Sequence, residues 1–458
     1  MKKILIVIIG ALLMSSCSLY KTFETPEIET SKLYRDTTST EVLSPADSTN
    51  LGNIEWRQLF TDPQLQVLIE KGLTANVDLQ TALLRIDQAE ASLSSARLAY
   101  VPDLSFSSTG TLSDFDGSTT KSYTSPLSTS WQIPLFGGLR NAKKGAESTL
   151  AQSQAYKQAV QTQLIATIAN SYYSLLMLDK QLEITDETIK SWGENTETMR
   201  GLKEVGMTNE ASITQSEANY YGLKTTYADL QRSIRETENA LSITLGQTPQ
   251  AIERGELQNI KLPTKISAGV PLQLLSNRPD IKQYEMALAS AYYATNVARS
   301  AFYPNITISA SAGWTNSGGG AIMNPGELLS SAIGSLTAPI FSKGINKAKL
   351  KIAKAQQEEA KLNFKQSLLN AGSEVSDALF QYTTANQKRE DRQMQLNALE
   401  KSVQYTTELF TLSSSTYLEV LTAQQGLLSA QLSETNDWFE QEQAVINLYQ
   451  ALGGGREE

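Results

Sequence analysis

The sequence predicts a mainly α-helical, internally duplicated chain, with two short strands and long antiparallel helices in each half. Ala96-Arg97-Leu98-Ala99-Tyr100-Val101-Pro102 returns about 200 residues later as Ala298-Arg299-Ser300-Ala301-Phe302-Tyr303-Pro304, and both runs lead into alternating stretches. Pro134-Leu135-Phe136 followed by Gly138 is echoed by Pro339-Ile340-Phe341 followed by Gly344, and Leu245-Gly246 by Leu452-Gly453. No proline falls between Pro134 and Pro249, where Ile165, Ile168, Tyr172, Leu175, Leu182 and Ile189 recur on spacings of three, four and seven. Two copies of a unit that is incomplete alone favour one pseudo-symmetric body over separate domains.

Taken in order, residues 1–16 read as a lipoprotein signal peptide: Lys2 and Lys3, an apolar run from Ile4 to Met14, then Ser15 and Ser16. The run is too short to span a bilayer. Cys17, the only cysteine, follows at once in a pattern resembling a bacterial lipobox, so it is the expected site of acylation. Residues 17–55, rich in Ser, Thr, Pro and charge, predict an extended arm.

The first repeat is expected over 56–248. Asp62-Pro63 caps a short helix, a second helix covers about 75–101, and Pro102 ends it. Leu104, Phe106, Ser108, Gly110 and Leu112 alternate with polar neighbours, predicting a strand over about 102–113. A polar loop is expected over 114–125 and a return strand over about 126–136. One long helix then runs to Gly206, where Asn209 opens an antiparallel helix ending at Leu245. Residues 249–270 read as a linker. The second repeat, 271–455, is expected to repeat the pattern with strands at about 304–315 and 328–341 and a long helical hairpin; 456–458 is a tail.

The long helix, roughly 68 residues, is about 100 Å at 1.5 Å per residue. The two shorter helices of the same half, laid end to end, nearly match it. Each half should therefore supply one long stave and one spliced stave.

Composition excludes much chemistry. With no histidine and one cysteine among 458 residues, zinc sites, Ser/His/Asp triads and Cys/His pairs are ruled out, and no phosphate-binding loop is present. The chain reads as no enzyme and calls for no cofactor or metal. A net charge of −9 disfavours a nucleic-acid partner. Four strands per chain cannot close a barrel, which takes about eight or more, so either several chains share one barrel or the strands form a small sandwich or ribbon on a helical bundle. Tyr100, Trp131, Phe136, Phe302, Tyr303 and Phe341 stand at strand ends, where membrane barrels carry interfacial aromatics.

Trp56-x-x-Leu59-Phe60-x-Asp62-Pro63-x-Leu65, the paired Ala-Arg-x-Ala-aromatic-x-Pro turns, Pro134-Leu135-Phe136-Gly137-Gly138 and the ending Leu448-Tyr449-Gln450-Ala451-Leu452-Gly453-Gly454-Gly455 resemble the outer-membrane factors of the TolC and OprM type, in particular the NodT-like lipoprotein branch. The resemblance covers almost the whole chain after the signal peptide. It implies a homotrimer with a 12-stranded membrane β-barrel continued by an α-helical periplasmic tunnel. It also implies an outer-membrane, lipid-anchored location and the role of passive exit duct in a tripartite efflux system. The partners implied are outer-membrane lipid, a periplasmic membrane-fusion adaptor and an inner-membrane pump, proton-driven rather than ATP-driven.

The same resemblance places the adaptor contact at two helix turns, Val205, Gly206, Met207 and Thr208 in the first repeat and Leu412, Ser413, Ser414 and Ser415 in the second. It places the periplasmic aperture at Ser212, Glu419 and Thr422. For Glu419 a second reading stays open, since Thr416-Tyr417-Leu418-Glu419 fits a capping box. Two other functions remain: the exit duct of a type I protein secretion system, and a lipid-anchored helical scaffold without a pore.

Overall fold

A computed structural model describes residues 20–26, 51–134, 136–257, 278–316, 327–412 and 415–455. The signal peptide, Cys17, most of the arm, Leu135, most of the linker, residues 317–326, Ser413, Ser414 and the tail lie outside the described residues.

After a 3₁₀ turn at Leu51–Asn53 come α1 (Trp56–Leu59) and α2 (Pro63–Ala75). Asp62 caps α2 by accepting from the Gln64 N–H at 2.8 Å, and Pro63 occupies the first turn, where no N–H is needed. The remaining elements are α3 (Val77–Leu98), β1 (Asp103–Phe106), β2 (Thr109–Phe115), β3 (Ser118–Pro134), α4 (Gly138–Glu204), α5 (Glu210–Thr244), α6 (Pro279–Ser300), β4 (Asn305–Asn316), β5 (Glu327–Thr337), α7 (Ile345–Thr411) and α8 (Tyr417–Ala451). The duplication is exact in helix length: α3 and α6 have 22 residues each, α4 and α7 have 67, and α5 and α8 have 35.

The strand readings need correction. Residues 114–125 are no loop: β2 and β3 form a continuous ladder from Thr109↔Thr124 to Phe115↔Ser118, closed by Asp116 and Gly117. Both turn residues have positive φ, 48° and 76°, the backbone of a tight two-residue hairpin. The stretch looked like a loop because it is Ser/Thr/Asp-rich and exposed, so no apolar alternation marks it. The return strand thus spans 118–134 rather than 126–136. The strand expected over 102–113 is two, β1 and β2, interrupted at Ser107 and Ser108. Pro126 stands opposite this break and has no N–H to donate, so the ladder loses a bond there; Ser107 N–H still donates to its carbonyl at 3.2 Å. The final strand ends at Thr337, short of the expected 341.

The chain divides into two compact units. The first takes in Leu84–Ala155 and Lys282–Gln366 with residues 20–26, and the second takes in 51–83, Tyr156–Ile281 and Ser367–Glu458 over their described residues. In the first unit all strands are antiparallel in one sheet, ordered β1-β3-β4-β5 with β2 also on β3. Among the described residues the β1/β2 side and β5 are open edges. Leu104, Phe106, Leu112, Leu328, Ile333 and Leu336 stand exposed on it. Beside the sheet, Asn296 donates to Asn141 at 3.3 Å and Thr295 to the Ala353 carbonyl at 3.1 Å, both buried.

The second unit has the main core: Trp56, Phe60, Leu65 and Ile69, Ile165, Ile168, Tyr172 and Leu175 of α4, Leu241 and Leu245, and Val445, Leu448, Tyr449 and Leu452. Two pseudo-equivalent clasps join helix ends here. Asn76, just before α3, donates to the Thr244 carbonyl at the end of α5 at 2.8 Å. Arg278, just before α6, donates to the Ala451 carbonyl at the end of α8 at 3.1 Å and pairs with Asp280 and Glu374. Each clasp satisfies a terminal carbonyl that the helix cannot satisfy itself. Among the described residues no helix is long and apolar enough to cross a membrane.

Candidate functional site

The first predicted turn closes the helix hairpin α4–α5 of the second unit, and of the second turn, between α7 and α8, Leu412 and Ser415 lie among the described residues. At the first, Gly206 takes φ 77°, its N–H bonds the Lys203 carbonyl and the Met207 N–H bonds the Leu202 carbonyl, both at 2.9 Å. This double closure ends a helix through a left-handed residue. Lys203 and Glu210 pair across the turn, and Asn209 caps α5 by accepting from the Ser212 N–H at 3.0 Å. Val205 and Met207 are left exposed, as are Leu412 and Leu418 at the second turn. There Ser415 donates to the Thr406 carbonyl at 3.3 Å.

The structure brings the helix ends beside the two turns together. Met199 and Ile213 of the first hairpin share a core cluster with Tyr417, Val420 and Leu421 of the second, with Leu202 and Phe410 against it. Tyr417 Oη donates to Ser216 Oγ at 3.2 Å, and Ser216 lies 2.7 Å from Thr196 Oγ1, all buried. Sequence reasoning missed this bridge, since its members are unremarkable helix residues more than 200 positions apart.

The three aperture residues differ. Ser212 has its N–H, and its hydroxyl at 3.3 Å, bound to the Asn209 cap, and the Thr422 hydroxyl donates back to the Leu418 carbonyl at 2.7 Å. Glu419 is exposed. The capping-box reading fails: Thr416 makes no side-chain cap bond, because the Glu419 N–H that it would accept from bonds the Thr416 backbone carbonyl instead, at 3.1 Å. Its carboxylate takes no bond among the described residues, leaving it the one charge of the three.

Further along the hairpins lies a groove of about 830 Å³ lined by Trp192, Leu223 and Leu428 on an apolar side and by Lys388, Arg392 and Glu440 on a polar one. Its charges neutralise one another: Lys388 meets Glu440 and Arg392 meets Asp437, each at 2.7 Å. Among the described residues no group of His, Cys, Asp and Glu is placed to hold a metal ion.

A sheet with two open edges beside duplicated 67-residue helices is an architecture that known proteins share. The sequence profile of the family described as outer membrane efflux protein matches residues 68–247 and 270–454. The chain belongs to this family. It is similar to the cation efflux system protein CusC of Escherichia coli O6:H1, with 28% identity over 453 residues and 97% of each chain covered. To the probable outer membrane lipoprotein SilC of Salmonella typhimurium it is 29% identical, over 87% of this chain and 88% of that one. Among solved structures, the open state of the MtrE outer membrane channel of Neisseria gonorrhoeae matches with a TM-score of 0.85 and 25% identity, covering 96% of this chain and 98% of the other. This outer-membrane efflux channel therefore has the β-barrel-plus-helical-tunnel fold of its family.

Proposed function

We propose that three copies of this chain form the passive exit duct of a tripartite efflux system, conducting small molecules that an inner-membrane pump expels through a periplasmic adaptor. The open sheet edges carry this reading: β1/β2 of one copy can pair with β5 of the next, so that closure removes every edge. Support also comes from α7, where Leu369, Phe380, Met394, Tyr405 and Leu409 are exposed at spacings of 11, 14, 11 and 4, which place them on one face of the helix. A neighbouring copy would cover that stripe. Acylation of Cys17 would add outer-membrane lipid to the anchoring.

At the tip, Val205, Gly206, Met207 and Thr208 with Leu412, Ser413, Ser414 and Ser415 are assigned to the adaptor; the exposed Val205, Met207 and Leu412 suit an apolar, hairpin-shaped partner. Three copies of Glu419 form a carboxylate ring at the aperture that favours cations, while Ser212 and Thr422 add small polar wall. The chain performs no covalent chemistry, and the energy comes from the pump, proton-driven rather than ATP-driven. Small-solute export rather than protein secretion is favoured by CusC, a cation efflux protein.

Reconstitution into planar bilayers tests the duct. The full-length protein is expected to give discrete conductance steps, with cation preference reduced in Glu419→Gln. Absence of steps overturns the pore, and an unchanged ion preference and conductance in the variant removes the ring.

A further inference from the structure

Glu442, on α8, is 2% exposed within a single chain, and its Oε1 has neither solvent access nor a hydrogen-bond partner. Its neighbours one turn away, Trp438, Phe439, Val445 and Ile446, belong to or pack on the main core. Tyr173 of α4 meets Trp438 edge-on, ring centroids 6.0 Å apart. The fold does not require an acid here: the matching position of α5, the same 35-residue helix in the first repeat, holds the exposed Arg235.

Among the described residues no counter-charge is at hand. Tyr173 faces Glu442 from α4, its phenol held far above the usual range by burial and by that carboxyl, and Asp62 and Tyr172 are the next ionisable groups beside it. Tyr172 donates to Asp62 at 2.5 Å. On α8 itself Asp437 and Glu440 are taken up by Arg392 and Lys388, which leaves neither cation for Glu442. A carboxylate so placed is strongly disfavoured, whereas the neutral acid is tolerated.

We propose that Glu442 is a proton-binding switch in the contact between α8 and α4: the neutral acid lets the helices close, and ionisation loosens them. Burial alone pushes its carboxyl up to about 8 from an ordinary 4.5. The folded chain thus keeps a proton that the unfolded chain gives up. Stability from this contact is complete below about pH 4.5, declines as the pH rises, and levels off above about 8. Across that window the unfolding equilibrium shifts by roughly a thousandfold per chain.

Hydrogen exchange of the full-length protein in detergent, from pH 5 to 9.5 and corrected for intrinsic exchange, tests this on peptides spanning residues 169–176 and 438–446. Wild type is expected to lose protection there by about a hundredfold or more between pH 5 and 8 and little further above that, with the strands unaffected. Glu442→Gln, an isostere of the neutral acid, is expected to hold its protection throughout, as is Glu442→Met. Constant wild-type protection over the range overturns the switch, whether or not the variants fold. So does a transition that persists in Glu442→Gln.

Discussion

Gly206 and Gly246 share a left-handed backbone, φ 77° and 67°, but differ in their surroundings. A Cβ at Gly206 would meet nothing within 4 Å, whereas one at Gly246 would run into the Ala75 backbone carbonyl. Gly206→Ala should therefore cost only the backbone penalty, about 1 kcal/mol, and Gly246→Ala distinctly more, about 3 kcal/mol. Urea unfolding of the two variants side by side checks the order. Gly206 was legible in the sequence as a helix stop, because helix termination by glycine is local chemistry. Glu442 was not, since its sequence neighbourhood is that of any charged helix residue and its burial comes from packing.

At the scale of elements, helices read well and strands poorly. Helix ends are written locally, in Asp62-Pro63, Asn209 and the glycines after each hairpin. The exposed β2–β3 ladder shows no alternation, and its Asp116-Gly117 turn went unread inside an expected polar loop. The Thr416 to Glu419 spacing suggested a cap that backbone bonding pre-empts. Long-range joints were invisible, although Asn76 and Arg278 hold matching places in the duplication. Arg278 is the costlier to lose: it is buried and serves Asp280, Glu374 and a backbone carbonyl, so Arg278→Met should destabilise by about 3 kcal/mol. Asn76→Ala should cost about 1 kcal/mol, a difference that urea or thermal unfolding resolves. Tyr417→Phe removes the donor to Ser216 at the price of about 1 kcal/mol. Faster amide exchange confined to the two hairpin turns is the expected readout, and unchanged exchange there would show that the bridge does not hold the hairpins together.

For the whole molecule, duplication sets what one chain lacks. Equal helix lengths in the two halves give matched staves, yet the sheet keeps two open edges and α7 keeps an unpartnered apolar stripe. Both deficits would be removed by one step, the proposed association with further copies. The halves also diverge at the proposed aperture, with Ser212 tied into a cap in one and Glu419 exposed in the other. The most direct measurement is the mass of the purified full-length protein in mild detergent, with the detergent contribution subtracted. Three chains per particle is the expected value, and a stable particle of one chain would contradict the shared barrel and the duct built on it.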